Sequence, residues 1–243
     1  MLRRPPATPA PGRPRDGAAE MGSAIGDILP LAIGVALSPI PIIAIILMLG
    51  TPRARANGLA FAVGWLGGLT VVGSIVLLLA SGNAGADEGG PATWASALKL
   101  LLGVLFLLMA ARIWHGRPKP GEEAQLPGWM QAIDGFSAAK AAGVGALLSG
   151  LNPKNLALTV AAATAIAETE IPGGQQAVAL AVFVVLGSLT ILVPVAIYFL
   201  MGARATEILD GLKGFMGAHN AAIMTALLLL LGAKLIGDGI GGL

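Results

Sequence analysis

Six apolar runs, at 27–50, 58–81, 95–114, 141–167, 177–201 and 220–240, constrain this chain more than any other feature. Each holds about 20 residues or slightly more, enough for a helix to cross roughly 30 Å of hydrocarbon at about 1.5 Å per residue. Hydrocarbon offers no partner to a backbone N–H or C=O, so such runs must satisfy themselves as helices. Only 12% of the 243 residues are charged, about half the share of a soluble domain. The fold class that follows is an all-α polytopic membrane protein with six transmembrane helices. Glycine recurs inside the runs, as at Gly64, Gly67, Gly68 and Gly73 of the second. Small residues let helices approach closely, either within one chain or in a homodimer.

The charges between the runs alternate by side. Arg53 and Arg55 lie in the first connection, Arg117, Lys119 and Lys140 in the third with Arg112 just before it, and Arg204 and Lys213 in the fifth. The second carries only Asp87 and Glu88, the fourth only Glu168 and Glu170. Basic loops stay in the cytoplasm, so the odd connections face inward and both termini outward. Membrane topology thus accounts for the basic residues without a nucleic-acid partner. Residues 1–20, rich in Pro, Ala and Arg, read as a disordered tail without the apolar segment of a signal peptide. Their arginines sit on the wrong side for this topology, which makes Met21 the expected native start. With no cysteine, thiol chemistry and disulfides are excluded, and His115 and His219 lack metal-ligand spacing. No metal or other cofactor is expected.

The fourth run contains Ser149-Gly150-Leu151-Asn152-Pro153-Lys154-Asn155, a proline, a cation and two amides near the middle of an apolar segment. Proline lacks an N–H and collides with the preceding turn, so the helix must kink or break and free carbonyls that lipid cannot satisfy. An ammonium at this depth costs about 2.5 kcal/mol or more and faces a protein-lined or wet cavity, unless its side chain snorkels to an interface. The first run offers a counterpart: Gly34-Val35-Ala36-Leu37-Ser38-Pro39-Ile40-Pro41 shares Gly, aliphatic residues, Leu-Ser and then proline with Gly145 to Pro153. The two segments open halves of three spans each, 21–114 and 141–243, joined by a cytoplasmic connection at 115–140. Three spans being an odd number, the halves insert oppositely as a 3+3 inverted repeat, with Pro39, Pro41 and Pro153 as the helix breaks. Transporters of that design bind substrate near the midplane where the breaks meet. The alternative is two unrelated kinked helices. In the connection, Trp129, Met130, Ile133 and Phe136 fall near helical spacing, as in a short interfacial helix, although a loop anchored by Trp129 would also account for them.

The chain resembles the lysine-exporter (LysE) superfamily, in which an Asn-Pro-Lys element opens the fourth helix, here Asn152-Pro153-Lys154. Within it the likeness is greatest to the GAP or sulfolipid-addressing (Sap-like) proteins of actinobacteria. It is carried by Ala36 to Pro41, by Pro127-Gly128-Trp129-Met130 with Ile133-Asp134, and by Leu151 to Leu158. The resemblance implies export across the cytoplasmic membrane, with some relatives linked to cell-envelope glycolipids. The thiol-disulfide electron carriers of the superfamily need cysteine after the helix-one and helix-four prolines, where Ile40 and Lys154 stand here.

No carboxylate lies mid-span, and Asp27 is roughly 17–20 Å along its helix from the break. Lys154 therefore meets either freed carbonyls or an acidic group on a substrate, with Ser38, Ser149, Asn152 and Asn155 as hydrogen-bonding partners. The expected function is an exporter of a small amphipathic or acidic solute, a glycolipid or its precursor, in contact with membrane lipid. Two further readings are an amino-acid or small-metabolite exporter and a membrane scaffold for lipid-export machinery. Enzymatic function is not expected, since no catalytic constellation occurs at membrane depth.

Overall fold

A computed structural model describes residues 17–83, 90–117, 127–169, 171–202 and 204–242. Among them all regular structure is helical: α1 (Gly17–Ala36), α2 (Pro39–Leu49), α3 (Ala54–Asn83), α4 (Gly90–His115), a 3₁₀ helix (Gly128–Gly135), α5 (Ala138–Gly150), α6 (Pro153–Glu168), α7 (Gly173–Met201) and α8 (Arg204–Gly241). Five of these, α1, α3, α4, α7 and α8, are long and apolar enough to cross a membrane. The chain is a multi-pass helical membrane protein.

The first and fourth apolar runs are each two helices in succession. The interruptions are Leu37-Ser38 and Leu151-Asn152, while Pro39 and Pro153 stand at the first position of the following helix. There a missing N–H costs nothing and the fixed φ suits the helix, so these prolines begin α2 and α6 rather than kink a continuous rod. Pro41, in the first turn of α2, is tolerated for the same reason. Pro194 lies within α7, which continues through it.

Glycine sets the packing. A Cβ on Gly64 would lie 1.9 Å from the Ala142 carbonyl oxygen, one on Gly145 2.3 Å from that of Phe61, and one on Gly68 2.7 Å from that of Ala146. Positions rising in step along both partners make α3 parallel to α5 and α6, with Gly73 reaching Thr159 of α6. In α4 and α8 they fall in opposite order, Gly103 against Ile236 and Leu100 against Gly239, so this pair is antiparallel. Most of the α3 glycines are thus occupied inside the chain, and only Gly67 of that group has open space beside it. Helix α1 lies against α6 and α7, burying Ile28, Leu31, Ala32 and Val35.

Two sequence expectations are corrected. Residues Gly17 to Glu20, placed in the tail, belong to α1, while 1–16 fall outside the described residues. Arg204 and Lys213 lie in the first turns of α8, not in a loop: α8 has 38 residues, about 57 Å of helix, nearly twice the hydrocarbon thickness. Its early turns bury Ala205, Leu209 and Met216, and α8 packs on α4 and, less extensively, on α2. The segment around Trp129 is a 3₁₀ helix that buries Met130 and Ile133 and contacts α2. Asn57 of α3 fixes its end, donating from Nδ2 to the Phe136 carbonyl at 3.1 Å. Asp87, Glu88, Lys119 and Glu170 lie outside the described residues.

Candidate functional site

A helix that ends inside an apolar bundle leaves its last four carbonyls without intrahelical partners. At the end of α1 each of them is answered. Lys154 Nζ donates to Gly34 O at 2.6 Å and to Leu37 O at 3.4 Å. Ser38 Oγ donates to Val35 O at 2.7 Å. Thr190 Oγ1, from α7, donates to Ala36 O. Lys154 also donates to Ser38 Oγ at 2.6 Å, and its side chain, 2% exposed, is fully committed. An ammonium at a helix C-terminus also meets the negative end of the macrodipole. Of the partners the sequence left open, the freed carbonyls hold the cation.

The second interruption is closed by Asn155, whose Nδ2 donates to Leu148 O at 2.9 Å and whose Oδ1 lies 3.2 Å from Ser38 Oγ, an alternative acceptor to Val35 O for its single hydrogen. One amide thereby ties the end of α5 to the end of α1. Asn152 caps α6, its Oδ1 accepting the Lys154 backbone N–H at 3.1 Å. The two breaks face each other and interlock, and α1 approaches so closely that a Cβ on Gly34 would lie 3.0 Å from Leu158 of α6.

A half-open cavity of about 170 Å³ lies beside this junction. Ser38, Pro39, Ile40 and Pro41 form one wall, Asn152 and Lys154 a second, and Ile113, Asn220 and Met224 the third. Of the side chains the sequence nominated for binding, Lys154, Asn152 and Ser38 line it. Asn155 is a buried brace behind it. Ser149 is completely buried against α3, donating to the Ala146 carbonyl at 3.2 Å and lying where a Cβ on Gly68 would fall. Sequence reading missed Asn220, because it opens an apolar run and looks like a boundary; α8 in fact begins sixteen positions earlier, at Arg204, which sets this amide deep in the helix.

The chain matches the family model "Sap, sulfolipid-1-addressing protein" over residues 28–241. It belongs to the Sap family. No curated protein and no solved structure matches it. The match spans both interruptions and the cavity wall from α8, so in this Sap protein the whole junction lies within the family's common region. A Sap chain of apolar helices is a membrane protein involved in lipid export.

Well away from the cavity, two polar links join helices of the first half to helices of the second. Lys99 of α4 pairs with Glu168 of α6 at 2.6 Å, and Ser81 of α3 donates to Gln176 of α7 at 3.1 Å. Lys99 stands 14 residues from the cavity residue Ile113 along α4, as does Glu168 from Lys154 along α6, which is about 21 Å in each case. Lys99, inside the third apolar run, carried no visible signal without its partner.

Proposed function

We propose that this chain exports an amphipathic cell-envelope lipid, a glycolipid or its precursor, across the cytoplasmic membrane by alternating access. The observation that carries the reading is the meeting of two interrupted helices at a polar, half-open cavity, the arrangement by which transporters expose backbone at membrane depth. The two halves are an inverted repeat of LysE type with six spans, α1–α2 and α5–α6 each serving as one broken span. The helix pairs support it: exchanging first with fourth, second with fifth and third with sixth span turns the α3 contacts with α5 and α6 into the α7 contacts with α1 and α2.

Both termini face outward, with the basic ends of α3, α4 and α8 in the cytoplasm. Lys154 draws an acidic group on the substrate through its field, since no carboxylate among the described residues pairs with it. Lys99–Glu168 and Ser81–Gln176 close the outer end in this conformation. The chain performs no covalent chemistry. A small-metabolite exporter remains the second reading, because about 170 Å³ accommodates such a molecule whole but only the head of a lipid.

The test is deletion in the native host, followed by mass spectrometry of lipids in outer-envelope and cytoplasmic-membrane fractions. Export predicts that an envelope glycolipid shifts to the cytoplasmic membrane and returns on complementation. An unchanged lipid distribution with a metabolite accumulating in the cytosol would select the second reading.

A further inference from the structure

We infer that the cavity opens sideways into the bilayer, between the last turn of α4 and the end of α5, and that it takes the head of a bilayer-dissolved amphiphile whose alkyl chain leaves past Leu151. This deepens the transport reading and rests on it for the broken-span layout and for calling the occupant a substrate.

The side mouth follows from where the other exits are closed. Toward the outer face α1 lies on α6, close enough that a Cβ on Gly34 would meet Leu158. Toward the cytoplasm every residue of α2 from Pro41 to Ile46 is buried. That stretch exceeds one turn, so the helix is covered all round and no water path follows it. On α8, Met216 and Leu209, one and three turns below Asn220, are buried as well.

What stays uncovered lies at the flank. Ile113 lines the cavity only two residues before α4 ends at His115, so that wall stops there. Helix α5 packs on α3 and α6, and among the described residues it makes at most marginal contact with α4. Its junction with α6 is a free lip: Leu151, 66% exposed, stands next to the cavity residue Asn152, and Pro153 is exposed too. One turn back, exposed Leu147 extends this apolar lip on the side of α5 opposite Gly145 and Ser149, which meet α3.

Depth decides what can enter. Asn152 is 14 residues from Ala138 and 16 from Glu168, about 21 and 24 Å of helix, so the mouth lies near the middle of a hydrocarbon layer about 30 Å thick. A solute dissolved in water would have to shed its hydration in lipid before reaching it. An amphiphile transfers only its head and keeps its chain in hydrocarbon, against Leu151 and Leu147. A cavity of about 170 Å³ encloses such a head and leaves the chain outside. Asn152, whose Oδ1 alone is committed, has its amide hydrogens for the head.

The test uses the absence of cysteine from the sequence. The reporter is Met224→Cys, on the cavity wall and on the buried stripe of α8 with Leu228, Leu231 and Leu235, so a reagent reaches it through the cavity. The full chain is placed in phosphatidylcholine nanodiscs and labelled with N-dodecylmaleimide, itself an amphiphile, or with a sulfonated maleimide confined to water. Each rate is divided by that of the same reagent at an exposed reference on α3, Leu78→Cys for the first and Arg55→Cys for the second. A side mouth predicts a relative rate at least tenfold higher for the dodecyl reagent. Any smaller ratio means a water-facing opening or a cavity that rejects the chain, and overturns the inference. Leu151→Trp should slow the dodecyl reagent at least threefold at Met224→Cys, and Leu151→Ala should not slow it. No slowing by the tryptophan would take the mouth away from α5 and overturn it equally. Labelling requires no transport. The predicted ratio without lipid export would overturn the transport reading alone, and lipid export with the smaller ratio would overturn this one alone.

Discussion

Replacing Lys154 with methionine tests what the buried cation is for. The side chain keeps nearly its length and loses its donors, leaving Gly34 O and Leu37 O without partners, while Ser38 Oγ retains Val35 O and Asn155 Oδ1. Two orphaned buried carbonyls cost about 1–3 kcal/mol each, and the lost charge at the α1 C-terminus adds about 0.5–2 kcal/mol. Against this, an ion no longer has to be held away from water, which returns part of the sum. The net expectation is a loss of roughly 2–4 kcal/mol. Ser38→Ala, which removes the donor to Val35 O and one acceptor of the Lys154 ammonium, should cost about 1–3 kcal/mol. Both can be measured by reversible unfolding in dodecyl maltoside micelles titrated with dodecyl sulfate, followed by far-ultraviolet circular dichroism. If Lys154→Met is as stable as the parent but inactive in export, the ammonium serves the substrate and the strut described above is wrong. If it is as stable and as active, neither role stands.

Three further outcomes follow from the geometry. Gly64→Ala and Gly145→Ala drive a methyl into backbone and should destabilise by about 1–3 kcal/mol in the same unfolding assay, whereas Gly67→Ala, with open space around it, should be neutral or slightly stabilising. Lys99→Ala removes a partly exposed ion pair worth about 0.5–1 kcal/mol, and should raise labelling of a Met224→Cys reporter from the outer side about two- to fivefold if that pair helps close the outer end. Arg55→Cys should react with an impermeant maleimide only after the cytoplasmic face is opened, and reaction in intact cells would reverse the proposed orientation.

The interruptions were legible from sequence because proline and lysine inside an apolar run have few physical outcomes. Which acceptors would hold the lysine was not, because Gly34 and Leu37 act through backbone carbonyls and Thr190 arrives from another helix. No residue type announces those contacts. Hydropathy also truncated two helices. The first turns of α1 and α8 carry good helix formers, Ala18, Ala19 and Glu20 in one and Ala205, Glu207 and Leu209 in the other, but they are too polar to extend an apolar run. Misplacing the start of α8 is what hid Asn220. The prolines were read as breaks, but that Pro39 and Pro153 would each stand first in the following helix was not legible, because sequence does not say at which residue the turn before a proline stops.

The strut also limits how the protein can move. Lys154 occupies the second position of α6, where its charge opposes the local helix dipole, yet it answers the open end of α1. Drawing α1 from α6 would uncover Gly34 O and Leu37 O together with the ammonium, a cost of several kcal/mol before any gain. Alternating access should therefore carry the α1–α6 junction as one body and take its motion from weaker contacts such as the α4–α6 link at Lys99 and Glu168. Cross-linking separates the two. A disulfide from Gly34→Cys with Leu158→Cys, across the close approach of α1 and α6, should leave export largely intact. A short bis-maleimide bridge between Lys99→Cys and Glu168→Cys should abolish it, with recovery when a reducible bridge is cleaved. Export lost to the first bridge and kept with the second would place the moving boundary between the two broken helices, and the strut would then be a contact made and broken in each cycle.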